Sequence, residues 1–186
     1  MNGLRALLAL TLLGGCAPLA GLRPASAPMP GRTFEAGAGA AFVSPRPFVI
    51  EEWRGAGQLW FTGRVGSWLT LSVVGAFDTE AVAAGLAARA DLVRMDRFAG
   101  GVEVELGWLW AGVSLPLAVR LFDQTWLYTA PRAGSFGDEL LPSIPLGASV
   151  RVHDGFALRL EGQVSWADFS AFNRRFHLGL AGAYQW

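Results

Sequence analysis

The stretch that decides the fold is 174–186, RRFHLGLAGAYQW. From Phe176 to Trp186 every second residue is apolar or glycine, and His177, Gln185 and small residues occupy the positions between. A strict period of two is typical of a β-strand whose two faces meet different surroundings. Because the stretch ends on a large aromatic residue, its apolar face must offer a place where Trp186 is stable.

The same alternation recurs along the chain from Thr33. The clearest example is 156–166, FALRLEGQVSW, where apolar residues alternate with Arg159, Glu161 and Gln163. A helix would place its charges at every third or fourth position, which these segments do not do. Together with the turn residues, the alternation predicts ten strands, at 33–43, 57–65, 68–77, 83–94, 101–108, 112–121, 125–132, 143–152, 156–166 and 174–186. Eight strands stay possible if 112–132 is a loop.

Composition narrows the class of protein. The chain has 186 residues, no net charge, 52% apolar residues and a mean hydropathy of +0.35. The chain has no excess of positive charge that would indicate a nucleic-acid partner. The sequence contains no stretch of about 20 apolar residues, the length that a transmembrane helix needs. High hydropathy without such a helix indicates either an apolar soluble β-protein or a membrane β-barrel.

The N-terminal segment predicts export. Residues 1–15 combine one arginine with a short apolar run, which is typical of a signal peptide. The run ends in Leu13-Gly14-Gly15-Cys16, which resembles a bacterial lipobox and predicts a lipidated Cys16. The alternative is ordinary cleavage after Ala27. Residues 16–32 are rich in proline and alanine and are predicted to be a flexible tether, with a β-barrel domain at 33–186.

Short connections between the predicted strands indicate an antiparallel, up-and-down sheet. If both termini lie on the periplasmic side, the two longest predicted connections, 44–56 and 133–142, fall on the outer side, as outer-membrane barrels arrange them. Aromatic residues at strand ends are typical of membrane interfaces. The predicted interface set is Trp68, Trp108, Trp126, Phe156, Trp166, Phe176, Tyr184 and Trp186.

The motif HLGLAGAYQW, with its final aromatic, resembles the C-terminal signature of bacterial outer-membrane β-barrel proteins, and the architecture of 33–186 is similar to theirs. The resemblance implies an all-β, antiparallel, up-and-down transmembrane barrel, here of ten predicted strands, located in the bacterial outer membrane. It also implies two partners, outer-membrane lipid and the barrel-insertion machinery. The alternative is a secreted β-sandwich or lipocalin-like barrel, which has the same period but turns its apolar face inward.

In the membrane-barrel interpretation, the polar face points into the lumen. It carries six arginines, five acids and one histidine: Glu35, Arg64, Arg89, Asp91, Glu103, Glu105, Arg120, Arg151, Arg159, Glu161, Arg175 and His177. Charges of both signs in a narrow space are expected to pair, because an unpaired buried charge is costly. We predict a cluster of Arg151, Arg159 and Glu161 that blocks the lumen. The alternative is a selective pore, although selectivity rings usually carry one sign of charge.

Small residues on the same face, from Gly37 to Ala183, are predicted to leave space that Trp60 and Phe122 fill. His177 is expected to face inward opposite Gln163 and near Ser165. The sequence shows no Ser-His-acid spacing, no metal cluster and no phosphate-binding loop, so no catalytic residue, cofactor or metal is predicted.

The predicted function is therefore structural or interaction-based and non-enzymatic. Two alternatives stay open. One is a small channel or a binder of a small or hydrophobic ligand. The other is an outer-leaflet lipid-modifying enzyme, which would depend on His177.

Overall fold

A computed structural model describes residues 32–44, 54–78, 82–108, 110–136, 139–166 and 174–186. The predicted signal peptide, 1–15, and Cys16 lie outside the described residues, as does all of the tether except Arg32. None of the described residues belongs to a helix long and apolar enough to cross a membrane.

The described chain forms thirteen β-strands. They are β1 Phe34–Ser44, β2 Arg54–Val65, β3 Leu69–Asp78, β4 Val82–Arg94, β5 Phe98–Gly107, β6 Trp110–Ser114, β7 Leu117–Phe122, β8 Thr125–Thr129, β9 Arg132–Phe136, β10 Glu139–Leu140, β11 Ser143–His153, β12 Phe156–Trp166 and β13 Arg174–Gln185.

These strands form one closed antiparallel barrel. Most consecutive strands pair with each other, and β1 closes the ring by pairing with β13. β6 and β7 both pair with β5 in one register, so they act as a single barrel strand. β8 with β9, and β10 with β11, are continuous in the same way. The barrel therefore has ten strands, which confirms the predicted count and excludes the eight-strand alternative.

The prediction of a loop at 133–142 is wrong. β9 and β10 occupy most of this segment, where Gly134 and Pro142 obscure the alternation of the sequence. The longest intervals between consecutive strands are 45–53 and 167–173, which lie outside the described residues. The strand ends that flank both intervals lie at the barrel end opposite Arg32 and Trp186. We call the end that carries Arg32 and Trp186 the periplasmic end, following the predicted topology.

The two faces of the wall differ as the period predicts. In β12, Arg159, Glu161 and Gln163 are buried, whereas the leucines at positions 158 and 160 are exposed. β13 repeats the pattern, with His177 buried and Leu178 exposed. The apolar face therefore points outward and the polar face points into the lumen. A soluble lipocalin-like barrel requires the reverse arrangement.

Prolines interrupt one part of the wall, β6 to β11, which we call the proline wall. Pro116, Pro131, Pro142 and Pro145 fall at or beside the breaks between its strands. Proline has no N–H, so it cannot complete the ladder at its position. Gly101 donates to the Pro116 carbonyl over 3.0 Å and Leu115 to that of Pro131 over 2.9 Å, and neither proline can donate a bond in return.

The opposite part of the wall, β12, β13, β1 and β2, is the closing wall, and it contains no proline. Ten consecutive residue pairs join β1 to β13, from Glu35 with Gln185 to Ser44 with Phe176. β12 and β13 pair without a register shift along their shared length. The closing wall therefore has a complete hydrogen-bond ladder in the region that seals the barrel.

Candidate functional site in the lumen

A buried carboxylate organises the lumen of the closing wall. Arg159 donates to Glu35 through both terminal nitrogens, over 2.9 and 2.6 Å. Gln185 donates to the same carboxylate over 2.6 Å, and the Trp60 indole N–H over 2.8 Å. Glu35 is on β1, Trp60 on β2, Gln185 on β13 and Arg159 on β12. One carboxylate thus connects four neighbouring strands across the line of closure, and we call these four residues the Glu35 cluster.

Small side chains leave the space in which the residues of the Glu35 cluster contact each other. Ala181 and Ala183 on β13 lie on the lumen face between β12 and β1, and both are buried. They leave the space through which Arg159 crosses β13 to contact Glu35. Gly37 serves Trp60 in the same way, because a Cβ at Gly37 would overlap the indole ring. The Arg159 guanidinium carbon also lies 5.5 Å from the centroid of the Trp60 ring, within range of a cation–π contact.

Arg159 has a partner that the prediction did not include. We expected Arg151, Arg159 and Glu161 to form one cluster, and the structure also pairs Arg159 with Glu35, 124 positions earlier in the chain. Barrel closure brings Glu35 close, and a reading of adjacent strands alone does not find it. Arg159 and Glu161 are nevertheless both almost fully buried on the same face.

Two further groups of charges lie elsewhere on the lumen face. Asp91 accepts from the Arg89 Nε over 3.1 Å and lies 3.9 Å from an Arg64 nitrogen. On the far side, Glu105 and Arg132 form an ion pair over 2.5 Å, which joins β5 to β9. Arg132 is absent from the predicted lumen set. It lies two residues from Gly134 and four from Tyr128, and this even spacing places all three on the same face of the wall.

The structure places every predicted lumen charge on the inner side of the wall. Glu35, Arg89, Glu103, Glu105, Arg159, Glu161 and His177 are buried, and Arg64, Asp91, Arg120, Arg151 and Arg175 are half-buried. The contacts described above include those of the Glu35 cluster, of Asp91 with Arg89 and Arg64, and of Glu105 with Arg132.

Three large rings fill the lumen beside inward-facing glycines. Trp60 lies against Gly37, Trp110 against Gly85 and Gly107, and Tyr128 against Gly147. All three rings are buried. Trp110 and Tyr128 are absent from the predicted set, and Phe122, which was expected to fill the lumen, is 72% exposed.

Trp126 corrects the predicted interface set. In the register, Trp126 lies opposite Arg120 on β7 and Ser149 on β11, both on the lumen face. It packs against the buried pair Ala118 and Tyr128. Trp126 therefore faces inward and does not belong to the lipid-facing aromatics. The parity that it shares with Tyr128 and Arg132 is the sequence signal for this orientation.

The other predicted interface aromatics lie on the outer face or at its ends. Trp68, Trp108, Phe156, Tyr184 and Trp186 are exposed, and Trp166 and Phe176 are half-buried. Trp186 stacks with Phe34 and Tyr184, with ring centroids 6.0 Å apart in each pair. Its backbone N–H donates to the Phe34 carbonyl over 3.1 Å. The final aromatic is thus held against the first strand on the apolar face, where an amphipathic ring is stable.

His177 and Ser165 form a buried polar pair near the outer end. His177 lies opposite Gln163, as predicted, and its Nε2 is 3.1 Å from the Ser165 Oγ. The His177 Nδ1 has no hydrogen-bond partner among the described residues. No group of three or more His, Cys, Asp or Glu side chains within the described ranges could hold a metal ion.

Comparison with known proteins identifies the fold. No protein family matches the sequence, and no curated protein matches it. The translocator domain of the autotransporter NalP from Neisseria meningitidis matches 100% of this chain and 95% of its own, with 12% identity and a TM-score of 0.55. The KdgM porin in complex with disordered oligogalacturonate matches 82% and 99%, with 9% identity and a TM-score of 0.50.

A third similar structure is the Yersinia pestis outer membrane protein Ail in a phospholipid bilayer nanodisc. It matches 82% of this chain and 99% of its own, with 11% identity and a TM-score of 0.41. At such low identities the first two likenesses establish the fold alone, which is that of a transmembrane β-barrel.

Proposed function

We propose that this protein is a non-enzymatic barrel of the bacterial outer membrane whose lumen is closed, and that it has a structural or interaction role. The Glu35 cluster is the observation that carries the proposal. It sets four hydrogen bonds on one carboxylate across the lumen side of four strands. A charge pair satisfied in this way is costly to separate, so it obstructs water and ions steadily.

Conductance tests the closed lumen. Purified wild-type protein in a planar bilayer is expected to show no steady current. The double variant Trp60→Ala/Arg159→Ala removes the largest ring and the buried guanidinium of the Glu35 cluster, and it should conduct. Trp68→Ala is the matched control, because Trp68 is an exposed turn residue. A large, stable current from the wild type would contradict the proposal and favour a channel.

The pair of Ser165 and His177 is the observation that favours the lipid-modifying enzyme as a second candidate. Two features weigh against it. Ser165 is fully buried, so a lipid acyl bond cannot reach its hydroxyl. No carboxylate among the described residues orients the His177 Nδ1, as a hydrolytic triad requires. A fluorophosphonate probe should therefore leave Ser165 unlabelled in the folded barrel, and labelling lost in His177→Ala would support the enzyme.

The two ends of the chain carry proposals of their own. A lipidated Cys16 would give a mature mass that starts at Cys16 with acyl chains attached, and Cys16→Ala would abolish the added mass. An N-terminus at Pro28 would contradict lipidation.

Deletion of Trp186 should lower the amount of barrel inserted in the outer membrane, because we propose that the insertion machinery recognises the terminal aromatic residue. An unchanged amount of inserted barrel would contradict recognition of Trp186 by the insertion machinery.

A further inference from the structure

We propose that the periplasmic mouth of the lumen binds a small organic anion, one that carries a phosphate or carboxylate group and a flat apolar face. The site consists of Arg120, Arg151, Trp126 and Ser149. The inference deepens the proposed function, because it rests on a barrel whose lumen is closed and names what its mouth would bind.

The register brings these residues together. Arg120 on β7 lies opposite Trp126 on β8, and Trp126 lies opposite Ser149 on β11. Arg151 shares the face of Ser149 and is two residues closer to the turn at 154–155. The two arginines therefore flank the indole from both sides, with backbones about 12 Å apart by the usual strand spacing and rise per residue. Side chains that point into a narrow barrel converge.

The pairing of these arginines with carboxylates differs from that of Arg159 and Arg132. Arg159 and Arg132 each hold a carboxylate. Among the described residues, neither Arg120 nor Arg151 has a carboxylate within 4 Å. The Arg151 Nε is also buried without an acceptor. A buried donor without a partner is unfavourable, and an anion placed between the two guanidiniums would supply the acceptor.

The chemistry of the site defines the ligand class. Guanidinium groups bind phosphate and carboxylate oxygens in bidentate fashion. Trp126 is half-buried, so part of its ring stays open to a flat apolar group. The chain's own tether does not fit, because residues 17–31 contain an arginine and no acid. A lipid headgroup is separated from the site by the barrel wall. The occupant is therefore a solute.

The Glu35 cluster and Tyr128 close the lumen beside and behind the site. Arg159 lies in the same row of the sheet as Ser149 and is fixed to Glu35, and the buried Tyr128 lies two residues deeper than Trp126 on β8. A ligand that enters from the periplasm must leave by the same route, so the site binds and does not transport.

Calorimetry on the purified full-length barrel in zwitterionic detergent tests the site, with phenyl phosphate, inorganic phosphate and phenol as probes. Phenyl phosphate should bind at one site and more tightly than inorganic phosphate, and phenol should not bind. Arg120→Gln and Arg151→Gln should each weaken binding roughly tenfold to a hundredfold, the loss of one charged hydrogen-bonding partner. Arg174→Gln is the matched control at the outer end and should bind as the wild type does.

Heat-modifiable gel mobility checks that each variant is folded. Trp126→Leu should reduce the preference for phenyl phosphate over inorganic phosphate and leave inorganic phosphate binding unchanged. Absence of anion binding by the folded wild type would overturn the proposal, as would equal losses in Arg174→Gln. Competition by phosphatidylglycerol in nanodiscs, absent with phosphatidylcholine, would assign the ligand to lipid and overturn a solute site. None of these outcomes depends on conductance, which tests the closed lumen separately.

Discussion

The closing wall and the proline wall belong to one barrel but are held together differently. In the closing wall, β1 pairs with β13 over ten consecutive residue pairs, and a buried carboxylate ties four strands together on the lumen side. In the proline wall, each pairing from β5 round to β12 includes a proline at which one donor is missing. Its lumen side includes the ion pair of Glu105 with Arg132 and the packing of Tyr128 and Trp126.

The difference shows where a barrel can hold a fully buried charge. A buried hydrogen-bonded network stabilises only when every member is held in place. The complete ladder of the closing wall provides that rigidity for Glu35. The proline wall has the weaker ladder, and Arg120 and Arg151 on its lumen face are half-buried and open to the mouth.

The largest expected effect comes from removing the central carboxylate. Glu35→Ala leaves Arg159 charged and buried, which should lower the free energy of unfolding by about 3–5 kcal/mol. The matched change at the partner of the proline wall's Arg132, Glu105→Ala on β5, should cost less, about 1–2 kcal/mol, because the Arg132 side chain is 13% exposed and can reach water. Urea unfolding in lipid vesicles, followed by tryptophan fluorescence, measures both. Equal costs would contradict the contrast between the walls.

Hydrogen exchange compares the walls directly in the wild type. Each donor that proline removes forfeits about 0.5–1.5 kcal/mol, so amides of β7, β8 and β9 should exchange at least roughly tenfold faster than those of β1 and β13. Mass spectrometry of the barrel in micelles resolves the two regions. Uniform protection around the barrel would show that the prolines do not weaken the wall.

Adding a methyl group at the inward glycines tests how firmly each ring is held. Gly37→Ala should cost about 1–3 kcal/mol, because Trp60 is fixed by its bond to Glu35 and cannot move away. Gly147→Ala makes the same overlap with Tyr128, but the shorter strand β8 can yield, so the cost should be smaller. Gly75→Ala is the control, since a Cβ there meets no atom within 4 Å. A larger decrease of the urea midpoint for Gly147→Ala than for Gly37→Ala would contradict this order.

Restoring a donor gives the smallest effect. Pro131→Ala supplies an N–H opposite Leu115, a gain of about 0.5–1.5 kcal/mol. Greater freedom of the unfolded chain offsets about 0.4–1 kcal/mol of this. Stability should therefore change by less than about 1 kcal/mol, while exchange in β6 and β9 slows. Pro18→Ala, in the tether, should alter neither quantity. Faster exchange in β6 after Pro131→Ala would mean that the proline supports the wall.

The closing wall was the more predictable part from sequence. β12 and β13 are long, and they alternate without proline, so their faces and the pairing of His177 with Gln163 follow from the period of two. The proline wall was less predictable because its strands are only five or six residues long. A short strand gives little periodic signal, and for this reason 133–142 reads as a loop and Trp126 as a lipid-facing residue.

The charged positions of the lumen were predictable as a set but not as pairs. Period alone gives the face on which Glu35 and Arg159 lie. Their contact also depends on closure between β1 and β13 and on Ala181 and Ala183 between them. Such information is three-dimensional, and neither local pattern nor spacing along the chain contains it.

The pairing of β1 with β13 has a consequence for the order of folding. Glu35 and its partner Gln185 are 150 residues apart, so β1 is synthesised long before the strand that completes it. Until β13 arrives, β1 has an open edge, which is a template for aggregation. Contacts so distant in sequence also form slowly. The barrel therefore cannot close before β13 is available, and a chain that lacks this strand keeps an open edge that can pair with another chain.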